Sequence, residues 1–143
     1  MAWIRQRMHE TPGSALSAGA IHPEAEHGIR LFNSQRYFEA HEALETAWRE
    51  EPGPIRELYQ GILQVAVAYY QIQRGNYVGA RKMFNRCRRW LAPFPDVVSG
   101  IDLLQFRADF SQVEASLIRL GPGRASKVDP HLMKPVPRRD TGR

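Results

Sequence analysis

Apolar residues recur three and four positions apart in five stretches of the chain, the spacing that places them on one face of an α-helix. The predicted helices cover about residues 23–33, 36–50, 54–73, 77–91 and 101–120. Turn signals separate them: EEPGP follows the second stretch, RGN the third and APFPD the fourth. No segment convincingly predicts a β-strand. The pattern therefore predicts an all-α fold, an antiparallel bundle of about five helices that form a single helical domain over residues 22–120.

The third predicted helix is apolar around most of its circumference, which is typical of the central helix of a bundle. Its one polar strip contains Gln60, Gln64 and Gln71, with Val67 among them. We expect the second and fourth helices to pack on either side of it. Gly61 and Gly79 would then permit close approach of the helices, because glycine has no side chain to hold them apart.

A faint internal repeat relates the second helix to the fourth. A shift of 40 residues aligns RYFEAHEALETA with NYVGARKMFNRC. Four pairs of similar residues then coincide: Tyr37 with Tyr77, Ala40 with Ala80, Leu44 with Phe84, and Ala47 with Cys87. Hairpins of this kind are faintly tetratricopeptide-like, but two weak copies fall short of the three or more that a free-standing solenoid needs. The repeat supports antiparallel hairpins, and convergent helical patterning explains it equally well.

The two ends of the chain lack this periodicity. Residues 1–21 are rich in Gly, Ser and Ala and are predicted to form a flexible N-terminal arm. Residues 121–143 contain four prolines, and six Lys or Arg against two Asp, so they hold four of the five surplus positive charges. This composition predicts a disordered, basic, Pro-rich tail. Weak, non-specific contact with nucleic acid is the partner that such a tail suggests.

Length, hydrophobic content, cysteine count and apolar segments narrow the class of protein. A length of 143 residues fits one domain, and a 43% hydrophobic content is enough for a core. The single cysteine, Cys87, cannot form an internal disulfide, which fits a reducing compartment. The first 20 residues lack the apolar run of a secretory signal, and the most apolar stretch, ILQVAVAYYQI, is too short to span a bilayer. We therefore expect a cytoplasmic protein without membrane contact.

The candidate chemistry lies on the second helix, where a histidine interrupts an apolar face. In projection, His41 falls between Tyr37, Leu44 and Trp48. Glu45 lies four residues further on, so the two side chains can meet, and Glu42 lies further round towards solvent. This spacing leaves three hypotheses open: a structural His41–Glu45 hydrogen bond, a binding or catalytic pocket, or two ligands to one metal ion. As a zinc motif HEALE is weak, since a second histidine is missing.

Two other helices carry polar residues that could complete such a site. Gln60 and Gln64 either face solvent or turn towards the helix of His41. Arg81, which the 40-residue shift places at the position of His41, either extends to the surface or pairs with Glu42 or Glu45. The acid-free basic run around Arg81 on the fourth helix is best explained by charge complementarity with the acidic second helix.

Several motifs together resemble the helical family called domain of unknown function 309. The similarity covers about residues 27–92 and rests on F-N, Y-F-E-x-H-E-x-x-E-x-x-W, Q-G-[IL]-[IL]-Q-x-A and G-N-x-x-G-A in this order. In this chain they are Phe32, Asn33, Tyr37, Phe38, Glu39, His41, Glu42, Glu45, Trp48, Gln60, Gly61, Gln64, Ala66, Gly75, Asn76, Gly79 and Ala80, with Arg56 in the connection. The resemblance implies a small all-helical bundle without an established activity. It also implies that the histidine, glutamate and glutamine motifs form a joint polar cluster.

These observations predict a helical binding or interaction module rather than an enzyme. Its binding residues would be His41, Glu42, Glu45, Gln60, Gln64 and Arg81, and its ligand a small molecule or a protein of unspecified identity. The alternative is a metal-dependent or acid–base hydrolase that uses His41 and Glu45, with a divalent metal as its cofactor. The absence of any cofactor is the main expectation.

Overall fold

The computed structural model of the protein describes residues 20–139. Its elements are α1 (Pro23–Asn33), α2 (Tyr37–Glu50), α3 (Arg56–Gln73), α4 (Tyr77–Leu91), β1 (Val97–Val98), β2 (Ile101–Asp102) and α5 (Leu103–Leu120), followed by 3₁₀ turns at Pro122–Lys127 and Pro130–Leu132. The predicted helical bundle is confirmed. The predicted N-terminal arm lies outside the described residues except for its last two positions. None of the described helices has the length and apolar character needed to cross a membrane.

The helices begin and end where the local chemistry favours it. Pro23 opens α1, and the ring Nδ1 of His22 accepts a hydrogen bond of 3.0 Å from the backbone N–H of Glu24. Asn76 caps α4 by accepting a bond of 3.0 Å from the N–H of Gly79. Gly75 adopts a positive φ of 76° in the turn after α3. The turns before α2 and α4 therefore stay short, and consecutive helices run antiparallel.

Helices α1 to α4 pack side by side in chain order, with α3 between α2 and α4. Gly61 allows the close α3–α4 contact that the sequence predicted, because a Cβ there would lie 2.3 Å from the side chain of Leu91. Gly79 has another role. A Cβ at Gly79 would meet only the side chain of Asn76, so its small size serves the cap of α4 rather than helix packing.

The 40-residue repeat relates positions of equal burial. Three of its four pairs are fully buried, with exposed fractions of 0%: Ala40 and Ala80, Leu44 and Phe84, and Ala47 and Cys87. In the fourth pair Tyr37 is buried and Tyr77 is half-buried. Helices α2 and α4 thus present matching apolar stripes to α3.

Helix α5 lies across one side of this helical layer. Phe106 of α5 contacts Phe32 of α1 with ring centroids 5.9 Å apart, and Phe110 of α5 stacks on Phe84 of α4 at 6.2 Å. Tyr69 of α3 contacts both Phe32 and Phe84. The aromatic core therefore lies on the side of α3 that carries Tyr69, which we call the covered side.

The opposite side of α3 has no described element packed over it, and we call it the open side. Its surface is a strip of four residues that lie within about 60° of one another around the helix axis. These residues are Gln60, Gln64, Val67 and Gln71. In the polar strip predicted from the sequence, Gln64, Val67 and Gln71 are half-buried, whereas Gln60 is buried with 9% of its surface exposed.

The prediction of a disordered tail after residue 120 is wrong for residues 121–139. This segment packs on the bundle and buries four apolar side chains, Ala125, Val128, Met133 and Val136. Its backbone is also held: the side-chain oxygen of Asn33 accepts from the N–H of Val136 at 2.9 Å. Arg138 forms two hydrogen bonds with Glu26, so one of the tail's charges is neutralised within the fold. The predicted contact of the tail with nucleic acid stays a prediction.

A small β-hairpin, which the sequence did not predict, connects α4 to α5. Val97 pairs with Asp102 and Val98 with Ile101, and Ile101 also bridges to Arg138 of the tail. Strands of two residues are too short to show the alternation by which strands are recognised.

Candidate functional site

His41 lies in a pocket between α2 and α3, as its position on the apolar face predicted. This aromatic pocket has a volume of about 270 Å³ and is lined by Tyr37, Phe38, His41, Val67, Tyr70, Gln71 and Arg74. The ring of Phe38 lies 5.7 Å from that of His41 and 5.3 Å from that of Tyr70, and the Arg74 guanidinium lies 5.5 Å from the Tyr70 ring. The imidazole is therefore held among rings on the open side of α3.

The two ring nitrogens of His41 are not equivalent. Nδ1 is buried and has no hydrogen-bond partner among the described residues, whereas Nε2 is not buried in this way. Leaving a buried polar atom unpaired costs about 1–3 kcal/mol. The fold therefore tolerates an unsatisfied imidazole nitrogen at the wall of a pocket that can admit a ligand.

The structure does not join His41 to the glutamates predicted beside it. Glu45 turns towards solvent and accepts a hydrogen bond of 2.6 Å from Arg49, one turn further along α2. Glu42 is exposed and lines a different, shallow depression between α1 and α2. Of the three open hypotheses, the structural His41–Glu45 hydrogen bond is therefore absent.

Gln60 and Gln64 lie on the open side of α3 but do not reach His41. The side-chain N–H of Gln64 donates to the side-chain oxygen Oε1 of Gln60 at 2.7 Å. The side-chain oxygen of Gln64, Oε1, is buried without a partner among the described residues. The position one turn closer to His41 is occupied by Val67. His41 and these two glutamines thus share one surface but form two separate groups along it.

A second pocket surrounds Gln64 and opens towards α4. This arginine pocket has a volume of about 570 Å³ and is lined by Gln64, Arg86, Arg89 and Trp90. Neither the Arg86 nor the Arg89 side chain forms an ion pair or a hydrogen bond with any residue between positions 20 and 139. The pocket therefore combines two uncompensated positive charges with an indole ring and an unsatisfied amide oxygen.

Arg81 faces the covered side instead and belongs to a different cluster. Its Nε donates to Glu114 of α5 at 3.1 Å, and Nη1 donates to the hydroxyl of Tyr77 at 3.2 Å. Arg88 binds the other oxygen of Glu114 at 2.5 Å. Of the two alternatives for Arg81, pairing with Glu42 or Glu45 is therefore absent, and a clamp of two arginines on the carboxylate of Glu114 takes its place.

The hydrolase alternative requires a metal site or a reactive side chain. Within residues 20–139 no group of three or more His, Cys, Asp or Glu side chains could hold a metal ion, so His41 and Glu45 lack a third ligand. Burial raises the pKa of Cys87 to about 12, which keeps its thiol protonated at neutral pH. Burial also raises the pKa of Tyr37 well above its usual range. The hydrolase alternative has no support from these groups.

Sequence reasoning missed the residues that α3 and α4 add to these pockets. Tyr70 and Arg74 complete the aromatic pocket, while Arg86, Arg89 and Trp90 form most of the arginine pocket. One signal was available: α4 contains no acid, and neither does the open side of α3. Arginines that face that surface could have been expected to lack partners.

Comparison with known proteins supports the resemblance carried by the motifs. The model of a family described as Domain of unknown function (DUF309) matches residues 25–83, which confirms the similarity over α1, α2, α3 and the first half of α4. The matched segment contains His41 and Gln64 and ends before Arg86. The aromatic pocket therefore lies within the family match, and most of the arginine pocket lies beyond it.

Two curated relatives are similar to parts of the chain. The "Uncharacterized protein YpuF" of Bacillus subtilis (strain 168) is 39% identical over 56 residues, which are 38% of this chain and 32% of the relative. An "Uncharacterized protein" of Aquifex aeolicus (strain VF5) is 29% identical over 86 residues, 57% of this chain and 25% of the relative. The chain thus spans a third or less of the length of these relatives, and neither name assigns an activity.

Proposed function

We propose that the protein is a binding module whose ligand lies along the open side of α3, in contact with both the aromatic pocket and the arginine pocket. We call this surface the α3 groove. The observation that carries the proposal is that each pocket is lined by a residue with one buried polar atom that lacks a described partner, Nδ1 in His41 and Oε1 in Gln64. A ligand that supplied hydrogen bonds to both atoms would remove two unfavourable terms at once.

The burial of these atoms separates them from ordinary surface polar groups. Six buried side-chain atoms lack partners within the described part of the chain, and the other four are Trp48 Nε1, Glu57 Oε2, Tyr69 Oη and Ser99 Oγ. Only His41 and Gln64 place theirs in the pockets of the open side. This coincidence of unmet hydrogen bonds and accessible volume favours binding at the groove.

The dimensions of the groove favour a segment of a partner protein over a small molecule. Gln64 and Gln71 are seven residues apart, which corresponds to about 10 Å along α3. An extended peptide covers this distance with about three residues. Its N–H and carbonyl groups match the unpaired oxygen of Gln64 and the unpaired nitrogen of His41, while an apolar side chain can rest on Val67 between them.

A displayed library of random 12-residue peptides, selected on the purified protein, tests this proposal. Val67→Arg places a long charged side chain on the floor of the groove, and Ile118→Arg makes the same change at an exposed position of α5, where the isoleucine is 47% exposed. We expect the selected peptides to bind the parent protein and Ile118→Arg with similar affinity, and to bind Val67→Arg at least about tenfold more weakly, a difference of roughly 1.4 kcal/mol.

Two outcomes would contradict the proposal. The selection could yield no peptide that binds the parent protein above background. Alternatively, the selected peptides could bind Val67→Arg as tightly as they bind Ile118→Arg, which would place their site elsewhere. Unchanged thermal unfolding of both variants is the control that separates a blocked groove from a damaged fold.

A further inference from the structure

We infer that the arginine pocket reads a carboxylate side chain, so that the ligand of the α3 groove is an acidic peptide. This inference rests on the proposed function and assigns the chemistry of the ligand. It begins from the four arginines that α4 places in two pairs. Arg81 and Arg88 share the carboxylate of Glu114, whereas Arg86 and Arg89 face the open side, where no acid lines the pocket.

The surroundings leave the charge of this second pair without a partner among the described residues. Residues 56–91, which contain α3 and α4, carry seven Lys or Arg and one Glu, a net charge of +6. That glutamate, Glu57, lies 3.8 Å from Arg56 and forms no ion pair with Arg86 or Arg89. Guanidinium groups remain protonated at any physiological pH. No described acid therefore lines the pocket or forms an ion pair with either arginine.

Arg86 and Arg89 both line the arginine pocket, so one anionic group bound there can contact both side chains. Arg86 and Arg89 are three residues apart and so project from neighbouring positions on one face of α4. Guanidinium donors match the geometry of a carboxylate, and such charge-assisted hydrogen bonds are stronger than neutral ones. Trp90 also lines this pocket, and its indole carries an N–H donor. A carboxylate is a ligand that all these groups can serve.

The amide of Gln64 distinguishes a peptide from other polyanions. Its buried Oε1 can only accept a hydrogen bond, so the ligand must bring a donor next to its anion. A peptide carries a backbone N–H beside every acidic side chain, whereas the sugar–phosphate backbone of DNA offers acceptors there. The structure therefore favours an acidic peptide over nucleic acid.

The spacing of the two pockets adds a sequence preference. They are separated by about 10 Å along α3, which is about three residues of extended chain. An aromatic or large apolar residue in the aromatic pocket would then stand three to four residues from a Glu or Asp in the arginine pocket. The expected recognition element is one bulky apolar residue and one acidic residue at this separation.

The test repeats the random-peptide selection on the parent protein, on Arg86→Gln/Arg89→Gln, and on Arg119→Gln/Arg124→Gln. The last variant removes the same charge at two exposed arginines, on α5 and in the following turn, and is the matched control. We expect Asp and Glu to be enriched three to four positions from an apolar residue on the parent and control proteins. We expect this enrichment to disappear for Arg86→Gln/Arg89→Gln, and the parent-selected peptides to bind that variant about tenfold more weakly.

Direct probes separate the possible outcomes. A fluorescein-labelled hexaglutamate peptide should bind the parent more tightly than a labelled 20-nucleotide oligo(dT), at 150 mM salt. Tighter, Arg86- and Arg89-dependent binding of the oligonucleotide would overturn the inference in favour of nucleic acid. Selected peptides that depend on Val67 but show no acidic enrichment would overturn it while the proposed binding function stands. Selected peptides whose binding does not depend on Val67 would contradict both this inference and the proposed function.

Discussion

The two pairs of arginines on α4 differ in what the fold provides for them. Arg81 and Arg88 meet Glu114, a carboxylate that is only 7% exposed, and Arg88 also packs over the ring of Phe110. Arg86 and Arg89, on the other flank of the same helix, meet an amide and an indole but no acid. Where α5 covers the layer, it brings a partner for the charges. Where nothing described covers it, the charges remain available to another molecule.

The same contrast applies to α3, whose two sides differ in packing. Its covered side buries Tyr69 against aromatic rings from three other helices: α1, the start of α2, and α4. Its open side carries Gln60, Gln64, Val67 and Gln71, beside two separate pockets. A chain under selection for stability alone would be expected to fill or charge-balance the α3 groove. The difference between the sides is therefore the main physical evidence for a binding surface.

Removing the C-terminal tail, which packs on the bundle, should have the largest effect on stability. A chain that ends at Leu120 loses the tail, including the buried side chains of Val128, Met133 and Val136. One large-to-small change in a core typically costs about 2–5 kcal/mol, and the truncation removes more than one such side chain. We expect the free energy of unfolding, measured by urea denaturation, to fall by at least this amount.

Point variants keep this prediction testable if the truncated chain does not fold. Met133→Ala should lower the free energy of unfolding by about 2 kcal/mol or more, because the methionine is 5% exposed. Lys134→Ala, at the exposed neighbouring position, should change it by less than about 0.5 kcal/mol. Equal stability of these two variants would mean that the tail does not cover the bundle in solution.

An intermediate effect is expected at the arginine clamp. Glu114→Ala removes the shared carboxylate and leaves Arg81 and Arg88 without it, at a cost of about 1–3 kcal/mol. The arginine side chains are 36% and 40% exposed, so water compensates part of the loss, and the upper end of that range is not expected. Urea denaturation of Glu114→Ala against the exposed-site control Glu39→Ala measures the difference.

The effect of Glu114→Ala can be compared with the effect of changing Arg86 and Arg89, the two arginines on the open side. Arg86→Gln/Arg89→Gln should leave the free energy of unfolding nearly unchanged, because these side chains contact no acid among the described residues. If Arg86→Gln/Arg89→Gln lost as much unfolding free energy as Glu114→Ala, then Arg86 and Arg89 would have a structural partner. The distinction between the two flanks of α4 would then be lost.

The helices could be predicted from the sequence almost to the residue, and the tail could not. Helical periodicity in α1 to α5 is sustained and is bounded by residues such as Pro23, Gly75 and Asn76, which act locally. The tail has only a few apolar residues at irregular spacing, and it is held by distant groups. Asn33 and Glu26, which bind it, lie more than 100 residues earlier in the chain. Local composition does not carry that information.

The candidate site was predictable in position but not in its partners. The apolar face of α2 correctly placed His41 towards α3, since that follows from helical geometry alone. The spacing of His41 and Glu45 permits contact but does not require it, and Arg49 offers Glu45 an equally close alternative. Glu114, the partner of Arg81, lies 33 residues further on, where only the packing of α5 decides which side chain faces α4.

The smallest effect is expected for His41, and it is the most direct test of the open side. His41→Leu removes a ring nitrogen that has no described partner and keeps an apolar group among Phe38, Val67 and Tyr70. We expect the free energy of unfolding to change by no more than about 0.5–1 kcal/mol. The change can have either sign, because the substitution removes an unpaired polar atom. Leu44→Ala, one turn further along α2 at a position that is 0% exposed, should by contrast cost about 2–5 kcal/mol. If His41→Leu cost as much as Leu44→Ala, the imidazole would be part of the core, and the groove would lose the group that most clearly marks it as a site for binding.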